Sequence, residues 1–480
     1  MAAVEPIQAP ERSHAKADRT NDPSVREIMI RRRIATGLCY AVAVMAGFSS
    51  AAIGQTAQWA GDSHPGTSRA EPQEGDDAPS TLTGDWNGLR TRLHDTGIDP
   101  EISYDGEFAA NLSGGQRHDA TEVGQFTFAA KWDLDKLAGL RGGRIKSTIT
   151  YRHGPDLGAK AGLGVLQQVQ ALYGRGQTWR LTELWYQQQL GAGWDLKLGR
   201  MALGTDFSSF SCDFQNLTFC GAPVGNIAGD YWYNAPISQW GARLRVKHDS
   251  WYAMIGAFEN NPHNLENDFA LSHGGATGVL TSAELGWTAH IGSAGLPGSY
   301  RLGAWYNSSN GDDVLLGVDR RPTAVTGLNP LRHDGRYGVY VLLRQQLTGD
   351  YENDPEEGPK ATHGLSLFLN ITQADRRTQR TDNQIALGMF YVGPFRGRAS
   401  DDIGIAVGRT NVNSRAARNE IAAAPNAEKP DAEYAGEIYY SLHLLPWLIV
   451  RPNLQYIIDP GGYRHAADVA VLGVKSSITF

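Results

Sequence analysis

The sequence predicts an all-β fold: a transmembrane antiparallel β-barrel of about sixteen strands, with a short N-terminal helix on the periplasmic side. Three observations predict it. Beyond Ile98, apolar and polar residues alternate with a period of two in window after window. The connections between windows are long and short in turn. The only long uncharged apolar run, Ile34 to Ile53, sits near the N-terminus, so a set of helical spans of ~20 residues each is excluded.

Composition narrows the field further. Glycine makes up 56 of 480 residues, well above the usual share of ~7%. The 12 Trp, 19 Tyr and 14 Phe supply too much burial for a disordered chain. With 44 Lys and Arg against 51 Asp and Glu, the net charge is −7 and no long basic tract exists. That argues against a nucleic-acid partner.

The chain opens with an address. Met29-Ile30-Arg31-Arg32-Arg33 is a positive stretch, Ile34 to Phe48 an apolar core of 15 residues, and Ser49-Ser50-Ala51-Ala52-Ile53-Gly54 a small-residue exit. This order describes a secretory signal peptide, with cleavage after Ala52 or Gly54. The core is short for a retained anchor helix. The polar residues before Met29 point to Met29 as the true start, and residues 1–54 are expected to be removed. Cys39 leaves with the signal, since Leu38 before it is too bulky for a lipoprotein site. Cys212 and Cys220 remain, eight residues apart in a chain bound for an oxidising compartment. Only Asp213 lies between them as a further metal ligand, so a disulfide is expected and no metal site.

Residues 55–83 have no apolar rhythm and read as a flexible periplasmic linker. The barrel domain then spans 84–480, and its first element is a helix over 84–97. Trp86, Leu89 and Leu93 recur at helical spacing there, and Gly97 is placed as the terminating cap.

Strands follow. Ile102, Tyr104, Phe108, Ala110 and Leu112 alternate with Ser103, Asp105, Glu107 and Asn111. Similar alternation runs through Gln239 to Lys247, Ala283 to Ile291, Leu365 to Thr372 and Leu448 to Tyr456. Weaker windows lie at Gln125 to Leu134, Arg144 to Arg152, Leu181 to Leu190, Trp194 to Met201 and Trp251 to Phe258. More lie at Tyr300 to Asn307, Tyr337 to Leu347, Gln384 to Val392, Asp402 to Arg409 and Tyr434 to Leu444. In the last window Leu472, Val474, Ile478 and Phe480 share one parity and Gly473, Lys475, Ser477 and Thr479 the other. The terminal aromatic, Phe480, resembles the signal that outer-membrane barrels present to the barrel-assembly machinery. Arg200 shares parity with Leu196 and Leu198, so that strand is expected to end or bulge before it.

Long connections follow the third, fifth, seventh and ninth windows, and short ones occur at Gly191 to Gly193, His248 to Ser250 and Leu445-Pro446. Thr348 to His363 is longer than its place in this alternation allows.

Several motifs carry a resemblance. Gly84-Asp85-Trp86-Asn87-Gly88-Leu89-Arg90 resembles a Gly-Asp-Trp-Gly-Gly-x-Arg opening, with Asn87 in place of one Gly. Cys212-x-Phe214-x-Asn216-x-x-x-Cys220-Gly221 resembles a cysteine loop. Ala435 to Tyr440, Leu445-Pro446-Trp447, Arg451 to Tyr456 and Pro460-Gly461-Gly462 resemble a C-terminal block. Together the chain is similar to the carbohydrate-selective porin family, the OprB-like glucose porins. The resemblance implies a sixteen-stranded barrel in the bacterial outer membrane that passes monosaccharides, glucose above all, down their gradient. It implies no catalytic residue and no cofactor.

A sugar channel needs hydrogen-bonding groups for hydroxyl rims and flat apolar faces for C–H patches. Parity selects the pore-lining candidates: Glu183, Trp185, Gln187 and Gln189 on one strand, and Arg243, Arg245 and Lys247 on another. Arg301 and Trp305, then Arg344, then Glu437 and Tyr439, then Arg451, Asn453 and Gln455 complete the set. The signs are mixed, which suits neutral polyols better than ions. Lumens are polar in any barrel, and Arg–Glu pairs also brace walls. The loop Ala202 to Ile237, with its cysteines and Asp206, Asp230, Tyr231, Trp232 and Tyr233, is the candidate to narrow the channel; shielding the mouth from outside is its other reading. Two competing functions remain: a general or anion-favouring pore, motivated by Arg243, Arg245 and Lys247, and a barrel enzyme. For the enzyme, inward-facing His290 lacks a serine partner. The partners expected are a carbohydrate, outer-membrane lipid and the assembly machinery, with monomer and homotrimer both open.

Overall fold

The structure, a computed structural model, describes residues 80–480 except 267, 268, 270, 293 and 355–357. The signal peptide and all but the last residues of the linker lie outside the described residues. Sixteen antiparallel strands close a barrel, and each of the sixteen windows becomes one of them. The last strand, Val469–Thr479, pairs with the first, Ile98–Ser113, in the register Ser103↔Thr479 and Phe108↔Val474. Closure leaves no unpaired edge in the wall, which the membrane requires.

Alternation fixes the two faces. Leu184, Leu198, Ile255, Leu285, Leu302, Val339, Leu387, Val407, Ile438 and Leu454 are large apolar residues exposed on the outer surface. Trp132, Trp194, Trp251 and Trp287 ring this band at the short-turn end, and Tyr306, Tyr337, Tyr434 and Tyr456 at the long-loop end. Amphipathic rings at both rims are the anchor expected at a lipid–water boundary.

Three local expectations change. The N-terminal helix covers Leu89–Thr96, shorter than 84–97. Trp86, Asn87 and Gly88 all have positive φ, so the chain turns left-handed before the helix can start. Asn tolerates that conformation, which explains how it stands in for glycine here. Gly97 caps the helix at φ 98 as expected. Arg90 donates to the Phe480 carbonyl at 2.7 Å, tying this helix to the end of the last strand.

Second, the Trp194–Met201 strand neither ends nor bulges before Arg200. Its pairing runs on through Leu198↔Ala242, Gly199↔Gly241 and Arg200↔Trp240. Arg200 keeps the outer parity and is covered by the neighbouring rim loop, donating to Asn264 Oδ1 at 3.2 Å and to the Ser238 carbonyl at 2.8 Å. Third, the overlong Thr348 to His363 connection holds a small hairpin, Tyr351–Asp354 paired with Gly358–Ala361.

Candidate functional site

The lumen is not an open tube. Two long loops, 154–178 and 202–238, leave the long-loop end and fold inward; the second is buried over most of its length, and the first buries Leu157, Ala161, Leu163, Val169 and Leu172. Four glutamates on the inner wall hold them by backbone N–H groups. Glu433 accepts from Leu166 at 2.6 Å and Gln167 at 3.1 Å. Glu107 accepts from Leu172 at 2.9 Å. Glu437 accepts from Gln215 and Asn216, both at 2.8 Å. Glu284 accepts from Ser208 at 2.8 Å. A carboxylate taking amide donors in a water-poor interior makes charge-assisted bonds, each worth about 1.5–3 kcal/mol.

The second loop answers with its own charges. Asp206 meets Lys197 at 3.1 Å and Arg243 at 3.2 Å, and Asp213 meets Arg451 at 3.2 Å. Burial alone would raise the Asp206 carboxyl, but Lys197 and Arg243 outweigh it and hold the group down at about 2. Lys475 donates to the carbonyls of Cys212 at 2.6 Å and Phe214 at 3.3 Å. Aromatic packing fills the rest. The Phe214 ring lies 4.9 Å from Tyr439 and 5.2 Å from Phe219, and Trp232 lies 5.2 Å from Trp305. Cys212 and Cys220 are joined in a disulfide at the loop's tip.

The wall residues predicted from parity fall into groups. Glu183 takes Lys146 at 3.2 Å and the Trp185 indole N–H at 3.1 Å, and Lys197 sits 4.3 Å over the Trp185 ring. Gln187, Arg243 and Arg245 converge on Asp195, with Gln187 and Arg245 each at 2.9 Å. Glu437, Arg451 and Asn453 engage residues 213–216 of the inward loop, Asn453 donating to Gln215 at 2.9 Å. Trp305 donates to the Tyr231 hydroxyl at 3.0 Å. Arg344 lies 5.0 Å over Phe390, Arg301 is buried on the adjacent strand, and Lys247 is exposed at the short-turn end. His290 sits at that end too, 6.0 Å from Tyr351.

Parity did not reveal what lies between the two inward loops. A cavity of about 620 Å³ opens there, lined by Arg152, Gln167, Gln168, Tyr173, Arg175, Asn226, Asp230 and Asn234 and by the cystine. Arg152 is oriented by Gln125 Oε1 at 2.7 Å and the Gly174 carbonyl at 3.3 Å. Asp230 accepts from Gln379 at 3.0 Å and pairs with Arg336. Burial pulls the Arg175 guanidinium below its ordinary range, and Asp230 opposes that shift. Both signs, several amides and the flanks of Phe210, Tyr173 and Ile227 therefore share one space. Its size is that of small-molecule sites. A sequence signal for the first loop existed: Leu163, Val165, Leu166, Val169 and Leu172 are too apolar for a segment in water.

Comparison with known proteins agrees with this architecture. Residues 117–480 match the model of the carbohydrate-selective porin, OprB family. The chain is 42% identical over 422 residues to Porin B of Pseudomonas aeruginosa, covering 83% of this chain and 91% of that protein. It is 30% identical over 428 residues to the putative porin QuiX of Acinetobacter baylyi, covering 83% and 93%. The high-pH structure of Pseudomonas putida OprB superposes with a TM-score of 0.78 at 38% identity, covering 84% of this chain and 99% of that one.

Proposed function

Because the chain belongs to the carbohydrate-selective porin family of the bacterial outer membrane, we propose that it passes neutral monosaccharides of the glucose type into the periplasm by passive diffusion. As a porin it is a channel rather than an enzyme. One observation carries the substrate reading: the cavity between the inward loops offers Arg152, Arg175 and Asp230 beside the amides of Gln167, Gln168, Asn226 and Asn234. Mixed charges and amides replace the hydration of hydroxyls around the rim of a sugar. The rings of Tyr173 and Phe210 offer flat faces to its C–H groups. A single-signed ring would instead favour ions of opposite charge.

The strand that motivated an anion-favouring pore argues against it in place. Arg243 lies between Asp195 and Asp206, and Arg245 pairs with Asp195. Lipid around the outer apolar band, and the assembly machinery at Phe480, are the further partners of this reading. Liposome swelling tests the function. Glucose should enter several-fold faster than neutral amino acids of similar size, and equal rates would reduce the protein to a general pore.

A further inference from the structure

We propose that Arg301, with Arg344 beside it, is a subsite for the carboxylate of acidic sugars, so that the channel admits aldonates or uronates alongside neutral monosaccharides. The inference rests on the monosaccharide reading and extends its substrate class.

It begins with the counter-ions. Most other buried cations of the inner wall meet carboxylates: Lys146 meets Glu183 at 3.2 Å, Lys197 meets Asp206 at 3.1 Å, Lys475 meets Glu107 at 3.1 Å, and Arg243 meets both Asp195 and Asp206. Arg152 and Arg180 donate instead to neutral oxygens, Arg152 to Gln125 Oε1 at 2.7 Å and Arg180 to the Leu265 carbonyl at 2.9 Å. Arg301 differs. Its side chain is only 6% exposed, its Nε is buried without a hydrogen-bond partner, and among the described residues it forms no ion pair. A guanidinium stays protonated in any protein environment, so this charge cannot be relieved by losing a proton.

The register explains why no wall carboxylate reaches it. Arg301 pairs with Gly286 on one side and Leu342 on the other. Glu284 is the diagonal neighbour on the first strand, but its oxygens already accept from Tyr252 at 2.5 Å, Tyr340 at 2.6 Å and Ser208 at 2.8 Å. The diagonal neighbour on the second strand is Arg344, a like charge at a separation of roughly 7–8 Å by sheet geometry. Two guanidinium groups thus share the inner face of adjacent strands, three and four strands along the wall from the acid-paired Arg243. A planar carboxylate matches the guanidinium fork through two parallel N–H···O bonds. A neutral sugar gains little there, whereas a sugar acid meets a buried guanidinium that no wall carboxylate bonds.

The experiment compares gluconate, glucose and chloride fluxes in liposomes and planar bilayers for wild type, Arg301→Gln and Arg301→Lys. The gluconate-to-glucose ratio should fall about fivefold in Arg301→Gln, the effect of roughly 1 kcal/mol. It should be largely kept in Arg301→Lys, which retains the charge. An unchanged ratio in Arg301→Gln overturns the subsite. A parallel fall in chloride permeability also overturns it, because the charge then draws any anion. Failure of the monosaccharide reading looks different: wild-type glucose would show no advantage over amino acids of equal size, whatever the gluconate ratio does.

Discussion

Of the long loops that leave the same end of this barrel, two enter it and two others bind each other at the rim. Loops 154–178 and 202–238 bury aromatic and aliphatic side chains, and the wall meets their amides with Glu107, Glu284, Glu433 and Glu437. The rim pair, 308–335 and 413–431, instead binds itself. Asp313, on a second hairpin that Gly311–Gly317 forms with Pro330–His333, accepts from Arg415 at 2.7 and 2.6 Å and meets His333 at 2.8 Å, while Asn419 donates to Thr323 at 2.7 Å. Val318, Val325 and Leu328 stay exposed there. The difference teaches that loop length does not decide entry. A loop enters where it brings its own apolar core and where the wall supplies acceptors for the backbone it buries.

Breaking a wall clamp should have the largest effect. Glu437→Gln removes the charge that holds Gln215 and Asn216 and turns a donor toward one of two buried N–H groups, each costing about 1–3 kcal/mol when unsatisfied. Single-channel conductance should rise several-fold as the loop leaves the lumen. An unaltered conductance would show that aromatic packing alone keeps the loop in place.

Removing the cystine comes next. Opening a loop of this length costs about 2 kcal/mol by chain entropy. The Cys212→Ser, Cys220→Ser double variant should hold its barrel, with a noisier open-channel current and a smaller conductance rise than Glu437→Gln. Electrical recordings of the two variants side by side check the order.

A pH series sharpens the comparison further. Asp206 sits at about 2, below its ordinary carboxyl range of ~3.9. Its contribution, about 2 kcal/mol, is therefore complete above pH ~4 and disappears as pH falls through about 2. The melting-temperature gap between wild type and Asp206→Asn should stay constant from pH 7 to 4 and close near pH 2. A gap that closes near pH 6 would place the carboxyl elsewhere.

The smallest effect belongs to the rim. Asp313 is also held at about 2, burial being outweighed by Arg415 and His333. Asp313→Asn should loosen the hairpin, read as faster proteolysis of residues 311–333, and leave conductance and sugar flux as in wild type.

The wall was legible because lipid outside and polar contents inside impose a period of two, which survives even in the weak Trp251 to Phe258 window. Loop order was legible too, from the lengths at His153 to Thr178 and Gly191 to Gly193. Partnerships were not. Parity places Glu437, Arg451 and Asn453 inward, but only the fold brings Gln215, Asn216 and Asp213 from more than two hundred positions away to meet them. Arg200 misled for a related reason: outer parity reads as lipid contact, while a rim loop covers that spot with Asn264. The cavity residues Gln167, Gln168 and Arg175 lie in a segment without periodicity, where only apolar content hinted at burial.

The most direct measurement is a size series in liposome swelling, from glucose through maltose to maltotriose, for wild type and Glu437→Gln. If the clamped loops set the channel's width, wild type should slow sharply beyond the monosaccharide and the variant should pass all three at similar rates. The same dependence on size in both proteins would contradict the account.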